Sequence, residues 1–426
     1  MASSRIKHIR ARQVLDNNGR PVAEVDVYTH GGHMGRAGAS TGTSVGANEA
    51  FVLRDNDPKI FAGLSVYKAI DNIEKILAPA LIGMDVLDQQ AIDHTMIALD
   101  GTRYKTNLGG NAMYALSIAA ARAAAAVKGL PLHLSMAKSP PSYVFAPTAN
   151  VINGGSVQGK TLNFQEFMIM PYGISDPGQG TRIICEVFIR LGDVIKKETG
   201  QAGMGSYSGY GVPTDDPGAA LDMISEAVAQ LGYQRHVCYA LDCAASEFYV
   251  PDEGAYRYRG RLISREELLQ VLAGLADKYP MAFIEDPLEE EDFVGYRAAC
   301  KQLNTLVLGD DILCTSLDRT RKACEMESIH GMVFKPNQAG TLTEAVEAAG
   351  YMLDRGMPVV ASGRAGGTAD APERELAVAL GIPLAKNGAP RGTRVNGYNY
   401  MLRTAEDLGV PMADISKLQC FSHLKI

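Results

Sequence analysis

Between residues 239 and 390 short apolar runs end, one after another, in a polar or charged residue, and their spacing restricts the fold more than any other feature of the chain. The runs are 239–242, 281–285, 306–310, 331–335, 358–362 and 382–386, with helix-like stretches such as 341–355 and 369–380 between them. Glu285 to Asp310 is 25 residues, and Asp310 to Lys335 is another 25. A strand, a helix and two short loops take about that length. Runs apolar on both faces suit a parallel sheet covered by helices. In a closed βα barrel the C-terminal strand ends converge on one mouth. The spacing therefore predicts Asp242, Glu285, Asp310, Lys335 and Lys386 in one site.

Three carboxylates at one point suit Mg²⁺, which prefers oxygen ligands and keeps some water. A lysine beside a bound cation has its charged form disfavoured and can act as a general base near neutral pH. The plainer alternative is a set of solvated strand ends. Five charges recurring at βα intervals favour the shared site.

The chain of 426 residues has room for two domains or one large barrel with an addition. A net charge of −7, with no Lys/Arg block, argues against a general nucleic-acid binder. Seven cysteines without a C-x-x-C pair read as reduced thiols, with Cys243 a small core side chain. Residues 1–13 carry charges and no apolar core of a signal peptide. The apolar stretch 119–127 is interrupted by Arg122 and too short for a bilayer. The expectation is a soluble, cytoplasmic protein.

The first part of the chain reads differently. Residues 23–29 alternate with period two, and Asn17-Asn18-Gly19 before them marks a hairpin with a strand at 6–14. Residues 38–48 are small and polar with three glycines, a loop suited to closing over a ligand. Residues 111–128 form an Ala-rich helix stopped by Gly129 and Pro131. Ser139-Pro140-Pro141-Ser142 is the best boundary. The predicted fold is thus α/β: an N-terminal α+β capping domain over 1–138, with a mobile loop at 38–48, then a modified (β/α)8 TIM-like barrel over 143–426. Its first two strands are expected at 150–155 and 163–170. Glu166 lies in the second and needs a partner if it faces inward. Residues 289–292, Glu-Glu-Glu-Asp, read as a solvated helix start.

At this point the residues match a known pattern. Gly38-Ala-Ser-Thr-Gly, Leu53-Arg-Asp, Asn153-Gly-Gly-Ser, Gln165-Glu-Phe-Met-Ile, Leu241-Asp-Cys, Ile284-Glu-Asp-Pro, Gly309-Asp-Asp, Lys335-Pro-Asn-Gln and Gly340-Thr-Leu-Thr-Glu follow one another along the chain. In this order they resemble the motifs of the enolase family over nearly the full length. The resemblance implies a capped barrel, usually a homodimer. It implies that Asp242, Glu285 and Asp310 hold one Mg²⁺ tightly, and that Ser40 meets a second that arrives with substrate. It assigns Lys335 as the base, Lys386 to the substrate carboxylate and Arg364 to the phosphate; Ser362 is a further candidate for substrate binding, and Glu166 is the candidate acid that remains in this sequence. The substrate it implies is a small phospho- or phosphono-carboxylic acid. Sites of this kind pair a Lys or His base with one or two Mg²⁺ that stabilise an ene-diolate.

The resemblance fails at the leaving-group end. The family's Gly-Asp-Glu-Gly-Gly stretch reads Gly205-Ser-Tyr-Ser-Gly here, with Ser208 at the glutamate position and no carboxylate between Gly200 and Thr214. Two family histidines are replaced by Val157 and Gly363, and a serine by Ala365. The loop after Gly42 runs six residues, 43–48, longer than the family's. These changes point to a lyase for an acid larger than, or different from, 2-phosphoglycerate, in the manner of carboxyphosphonoenolpyruvate synthase in phosphonate biosynthesis. A genuine phosphopyruvate hydratase with an unusual acid and a catalytically dead metabolite-binding relative are the alternatives.

Overall fold

The computed structural model describes residues 2–42, 46–155, 161–200, 202–205, 208–368, 370–424 and 426. Three strands open the chain: β1 (Ile6–Leu15), β2 (Pro21–Thr29) and β3 (Met34–Gly38), antiparallel in that order. The hairpin expected at Asn17-Asn18-Gly19 is present. Asp16 Oδ1 accepts from the backbone N–H groups of Asn18 (2.8 Å) and Arg20 (2.9 Å), and Gly19 takes φ +72°. That is an Asx turn closed by the residue with least cost in a left-handed conformation. The apolar face of this sheet packs on α2 (Gly110–Lys128), which follows α1 (Gln89–Asp100). Alanines let sheet and helix approach closely. A Cβ on Gly35 would lie 2.1 Å from the Ala119 carbonyl oxygen and 2.2 Å from Ala123 N.

The barrel comprises β4 (Ala146–Asn153), β5 (Glu166–Pro171), β6 (Val237–Asp242), β7 (Met281–Glu285), β8 (Leu306–Gly309), β9 (Gly331–Phe334), β10 (Val359–Ser362) and β11 (Leu384–Lys386). Each pairs with the next, and β11 pairs with β4 to close the ring. Helices cover the outside: α3 (Pro177–Thr199), α4 (Pro217–Gln230), α5 (Arg265–Lys278), α6 (Phe293–Gln302), α7 (Leu317–Glu325), α8 (Leu342–Leu353), α9 (Glu373–Leu380) and α10 (Val395–Leu408). The strand residues are almost all buried, as the apolar runs require.

One strand departs from the parallel plan. β5 runs antiparallel to both β4 and β6, whereas the other neighbouring pairs are parallel. Its first residue therefore stands at the rim where the other strands end, and Glu166 is in register with Asp242. Three expectations shift. The first strand starts at Ala146 rather than 150, and the second at Glu166 rather than 163. Helix α9 starts at Glu373 rather than 369, because Pro372 disfavours helical geometry in the residue before it. Residues 289–292 are not a merely solvated face. Asp292 caps α6 by accepting from Gly295 N (2.8 Å), Glu290 accepts from Ala47 N (3.2 Å), and Glu291 binds Asn48 Nδ2 and Arg319 Nη1, each at 2.8 Å.

Candidate active site

The rim of the barrel opens into a cleft continuous with solvent, with about 60 Å³ of space for water-sized groups. Of the residues expected in the site, Glu166, Asp242, Asp310, Lys335, Ser362, Arg364 and Lys386 line it, together with Gly363 and Ala365. Glu285 does not line it; it is fully buried and in contact with the lining residue Lys386. Lys386 Nζ reaches Glu166 Oε2 at 2.6 Å, Glu285 Oε2 at 2.7 Å and Asp242 Oδ2 at 3.2 Å. Lys335 Nζ binds Asp310 Oδ2. Burial acts to lower both lysines, but the carboxylates around them outweigh it and hold each ammonium above its ordinary range. Burial, with Asp242 close by, pushes the Glu285 carboxyl well above the usual carboxylate range. Its Oε1 is buried and has no hydrogen-bond partner among the described residues.

Residues next in sequence hold these acids in place. Asp286 Oδ1 accepts from Asp310 N (3.0 Å) and from the Tyr296 hydroxyl (2.9 Å), and Oδ2 accepts from Asp311 N (2.8 Å). Carboxylate oxygens of Asp286, Asp310 and Asp311 lie within 4.8 Å of one another. Because both Asp286 oxygens are already engaged by the turn after β8, Asp286 braces Asp310. Burial, and then Asp310, raise the Asp286 carboxyl to about 7. Gln165 Nε2 donates to Asp242 Oδ2 (3.2 Å), Gln338 Nε2 to Asp310 Oδ1 (2.9 Å), and Asn150 Nδ2 to Glu166 Oε1 (3.0 Å). The sequence carries a signal for the bracing acids, since doubled acids end both 281–286 and 306–311. Gln338 stands in the Lys335-Pro-Asn-Gln motif, with nothing in its spacing to mark it as a partner of Asp310.

Arg364 is engaged differently from the expectation. Its Nη1 and Nη2 donate to Glu49 Oε2 (2.7 Å) and Oε1 (3.1 Å), and both side chains are almost fully buried. Burial opposes the Arg364 charge, but the bidentate Glu49 pair holds the guanidinium protonated. Glu49 belongs to the cap, so this pair locks cap to barrel. Gly46, Ala47 and Asn48 of the loop dock on Asp311, Cys314, Glu290 and Glu291. Residues 43–45, in the loop expected to be mobile, lie outside the described residues, as does Val157.

Ser40 does not line the cleft. It is buried near Gly367, and its hydroxyl has no hydrogen-bond partner among the described residues. Ser208 adopts φ +70° in a small hairpin beside β4 and does not line the cleft either. All seven cysteines are unpaired, and Cys243 is fully buried.

A closed barrel under an α+β cap, with acids and lysines interleaved at one rim, defines a capped βα-barrel enzyme. Residues 6–136 match the family model for the enolase N-terminal domain, and 142–416 match that for the enolase C-terminal TIM barrel domain. Curated relatives named enolase include those of Methanopyrus kandleri (43% identical, covering 95% of this chain and 96% of the relative) and Methanocaldococcus jannaschii (41%, with 95% and 96% coverage). A third, from Thermococcus gammatolerans, is 41% identical, with 95% of both chains covered. The chain belongs to the enolase family and is an enolase-like carbon–oxygen hydro-lyase. Among the described residues no helix is long and apolar enough to cross a membrane.

Proposed function

We propose that the protein eliminates water from a 2-phosphoglycerate-type acid, with the cap over residues 1–138 and the chemistry in the barrel over 143–426. The observation that carries this reading is the interleaving of Lys335 and Lys386 with Asp310, Asp242 and Glu285 at one rim. Although the three carboxylates whose oxygens lie within 4.8 Å of one another among the described residues are those of Asp286, Asp310 and Asp311, the expected donor set suits a Mg²⁺ ion by its chemistry. It supplies carboxylate oxygens from Asp242, Glu285 and Asp310, and the orphaned Glu285 Oε1 is a buried acceptor awaiting a partner. When bound, the ion adds positive charge where the substrate carboxylate gains electrons.

Lys335 takes the proton from the carbon next to the carboxylate. The released electron pair passes into the carboxylate as an ene-diolate, and Lys386 balances that charge. Lys335 needs its neutral form for this step. Asp310 holds it charged in the structure; a cation held by Asp310 and Glu285 would weaken that hold and leave burial acting toward the free amine. The ene-diolate then collapses to the enol ester as the β-hydroxyl leaves, protonated by Glu166 to give water. Arg364 and Ser362 receive the phosphoryl group, with Arg364 shared with or released from Glu49. Were a second cation to arrive with substrate, Ser40 would be the cap residue to meet it.

Two substrates fit this chemistry. The relatives' name supports 2-phosphoglycerate itself. A larger acid is favoured by Gly363 and Ala365, which line the cleft where larger polar side chains are expected, and by the lack of a carboxylate from 200 to 214. Purified protein, Mg²⁺ and 2-phosphoglycerate, followed by the ultraviolet absorbance of phosphoenolpyruvate beside an ordinary enolase, separates them. Turnover near the control establishes the hydratase. Absence of turnover while 2-phosphoglycerate still binds favours the larger acid.

A further inference from the structure

Helix α9 begins with Glu373 and Arg374 directly behind Gly363 of the cleft wall. A Cβ on Gly363 would lie 3.9 Å from Arg374 Nη1, 4.0 Å from Nη2 and 3.9 Å from Glu373 Oε2. The Arg374 guanidinium thus lies directly behind the cleft wall at Gly363, without itself lining the cleft. Arg374 Nε donates to Asn387 Oδ1 at 2.9 Å, and the space for its side chain comes from Gly397, where a Cβ would fall 2.3 Å from that Nε. A second arginine, Arg394, lines the same cleft over another glycine. A Cβ on Gly388 would lie 3.2 Å from Arg394 Cδ. Three glycines thus bound two guanidinium groups.

Neither arginine has a carboxylate at ion-pair distance among the described residues, and both are half-buried. Burial and the neighbouring Arg394 charge act against the Arg374 cation, and Glu373 offsets them only in part. Glu373 is itself 2% exposed, both its oxygens lack hydrogen-bond partners among the described residues, and burial raises its carboxyl above the usual range. Arg364, meanwhile, is already engaged by Glu49. Arg394 lines the cleft and Arg374 stands behind its Gly363 wall, neither in an ion pair among the described residues, an arrangement costly for stability alone and suitable for a planar anion held by paired N–H donors.

We propose that Arg374 and Arg394 form an anion subsite beside Arg364, for a substrate carrying one anionic group more than a phosphoglycerate, attached at its phosphoryl end. This rests on the larger-acid reading above and names the feature that the larger acid carries. The phosphoryl end is indicated because Gly363 directly precedes Arg364, the residue assigned to that group.

Calorimetry on the Mg²⁺-loaded protein tests it with two probes that differ in one group, ethylphosphonate and phosphonoacetate. The wild type is expected to prefer phosphonoacetate by at least about tenfold, the factor that one charged hydrogen bond supplies. Arg394→Gln and Arg374→Met should each lower that preference by about tenfold, and Arg394→Lys should retain part of it. Arg394 keeps part of its side chain in solvent, so its variants keep the test open if Arg374→Met fails to fold by circular dichroism. Equal affinity of the wild type for the two probes, or an unchanged preference in the Arg394→Gln protein, overturns the subsite. Titration with 2-phosphoglycerate reports separately on the lyase reading. Loss of its Mg²⁺-dependent binding in the wild type removes that reading while leaving the two-probe comparison intact.

Discussion

Each charged residue at the rim is held by a neighbour that sequence order alone does not identify. Asp310 is the clearest case. It meets Lys335, accepts from Gln338, and is braced through its backbone by Asp286. Asp310→Asn should therefore weaken Mg²⁺ binding measured by calorimetry, and an unchanged affinity would remove Asp310 from the ligand set. Lys335→Ala should lower turnover by ~10²–10⁴, the usual cost of losing a general base. Exchange of the substrate α-proton with deuterated solvent is the cleaner readout, because it reports the base without requiring elimination. Ser208 carries a different lesson. It matches the family's glutamate position but sits at φ +70° outside the cleft lining. Ser208→Glu by itself is expected to leave 2-phosphoglycerate turnover unrestored, and recovery of turnover in that variant would show that the hairpin reaches the substrate.

At the scale of elements, β5 shows how direction decides function. In a parallel strand the residue at the start points to the far end of the barrel. Reversed, the same strand delivers Glu166 to the rim, opposite Asp242 and within reach of Lys386. The sheet of the cap depends on close approach. Ala119 and Ala123 of α2 meet Gly35 of β3 with no space for a side chain. Gly35→Ala puts a methyl group against helix backbone, which cannot rotate away. The expected loss is at least about 1–3 kcal/mol, as for other overpacked cores, read from the midpoint of a urea titration. A midpoint equal to that of the wild type would mean that the sheet can lift off the helix at little cost.

At the scale of the molecule, cap and barrel are joined by buried polar knots. Asp93 on α1 accepts from Thr343 N (2.9 Å) and Thr343 Oγ1 (2.6 Å) at the start of α8, and from Ser117 Oγ (2.6 Å) on α2. Burial raises the Asp93 carboxyl, although these hydrogen bonds pull it down. The folded state therefore binds this proton more tightly than the unfolded chain. Its contribution to stability is greatest below the unfolded value of about 4 and falls as pH rises from there toward the folded value. Asp93→Asn should flatten that part of the profile of Tm against pH. A profile parallel to the wild type's would mean that Asp93 titrates alike in both states. The Glu49–Arg364 pair is the second knot, and it ties the cap to the rim of the cleft.

The order of apolar runs and their spacing determined the barrel, because strands buried on both faces and alternating with helices have few other ways to cover themselves. The same pattern determined which charges share a rim, since strand ends in a closed ring converge whatever the loops do. Asn17-Asn18-Gly19 likewise determined a local turn from backbone preference alone. Long-range pairing was decided elsewhere. Nothing in the run 166–171 states its direction, because a fully buried strand reads the same both ways, and only its hydrogen bonds to β4 and β6 reverse it. Nor does spacing indicate that Glu49 meets Arg364, or that Arg374 stands behind Gly363. Those contacts join residues separated by loops and domains, and a side chain's partner is set by three-dimensional packing.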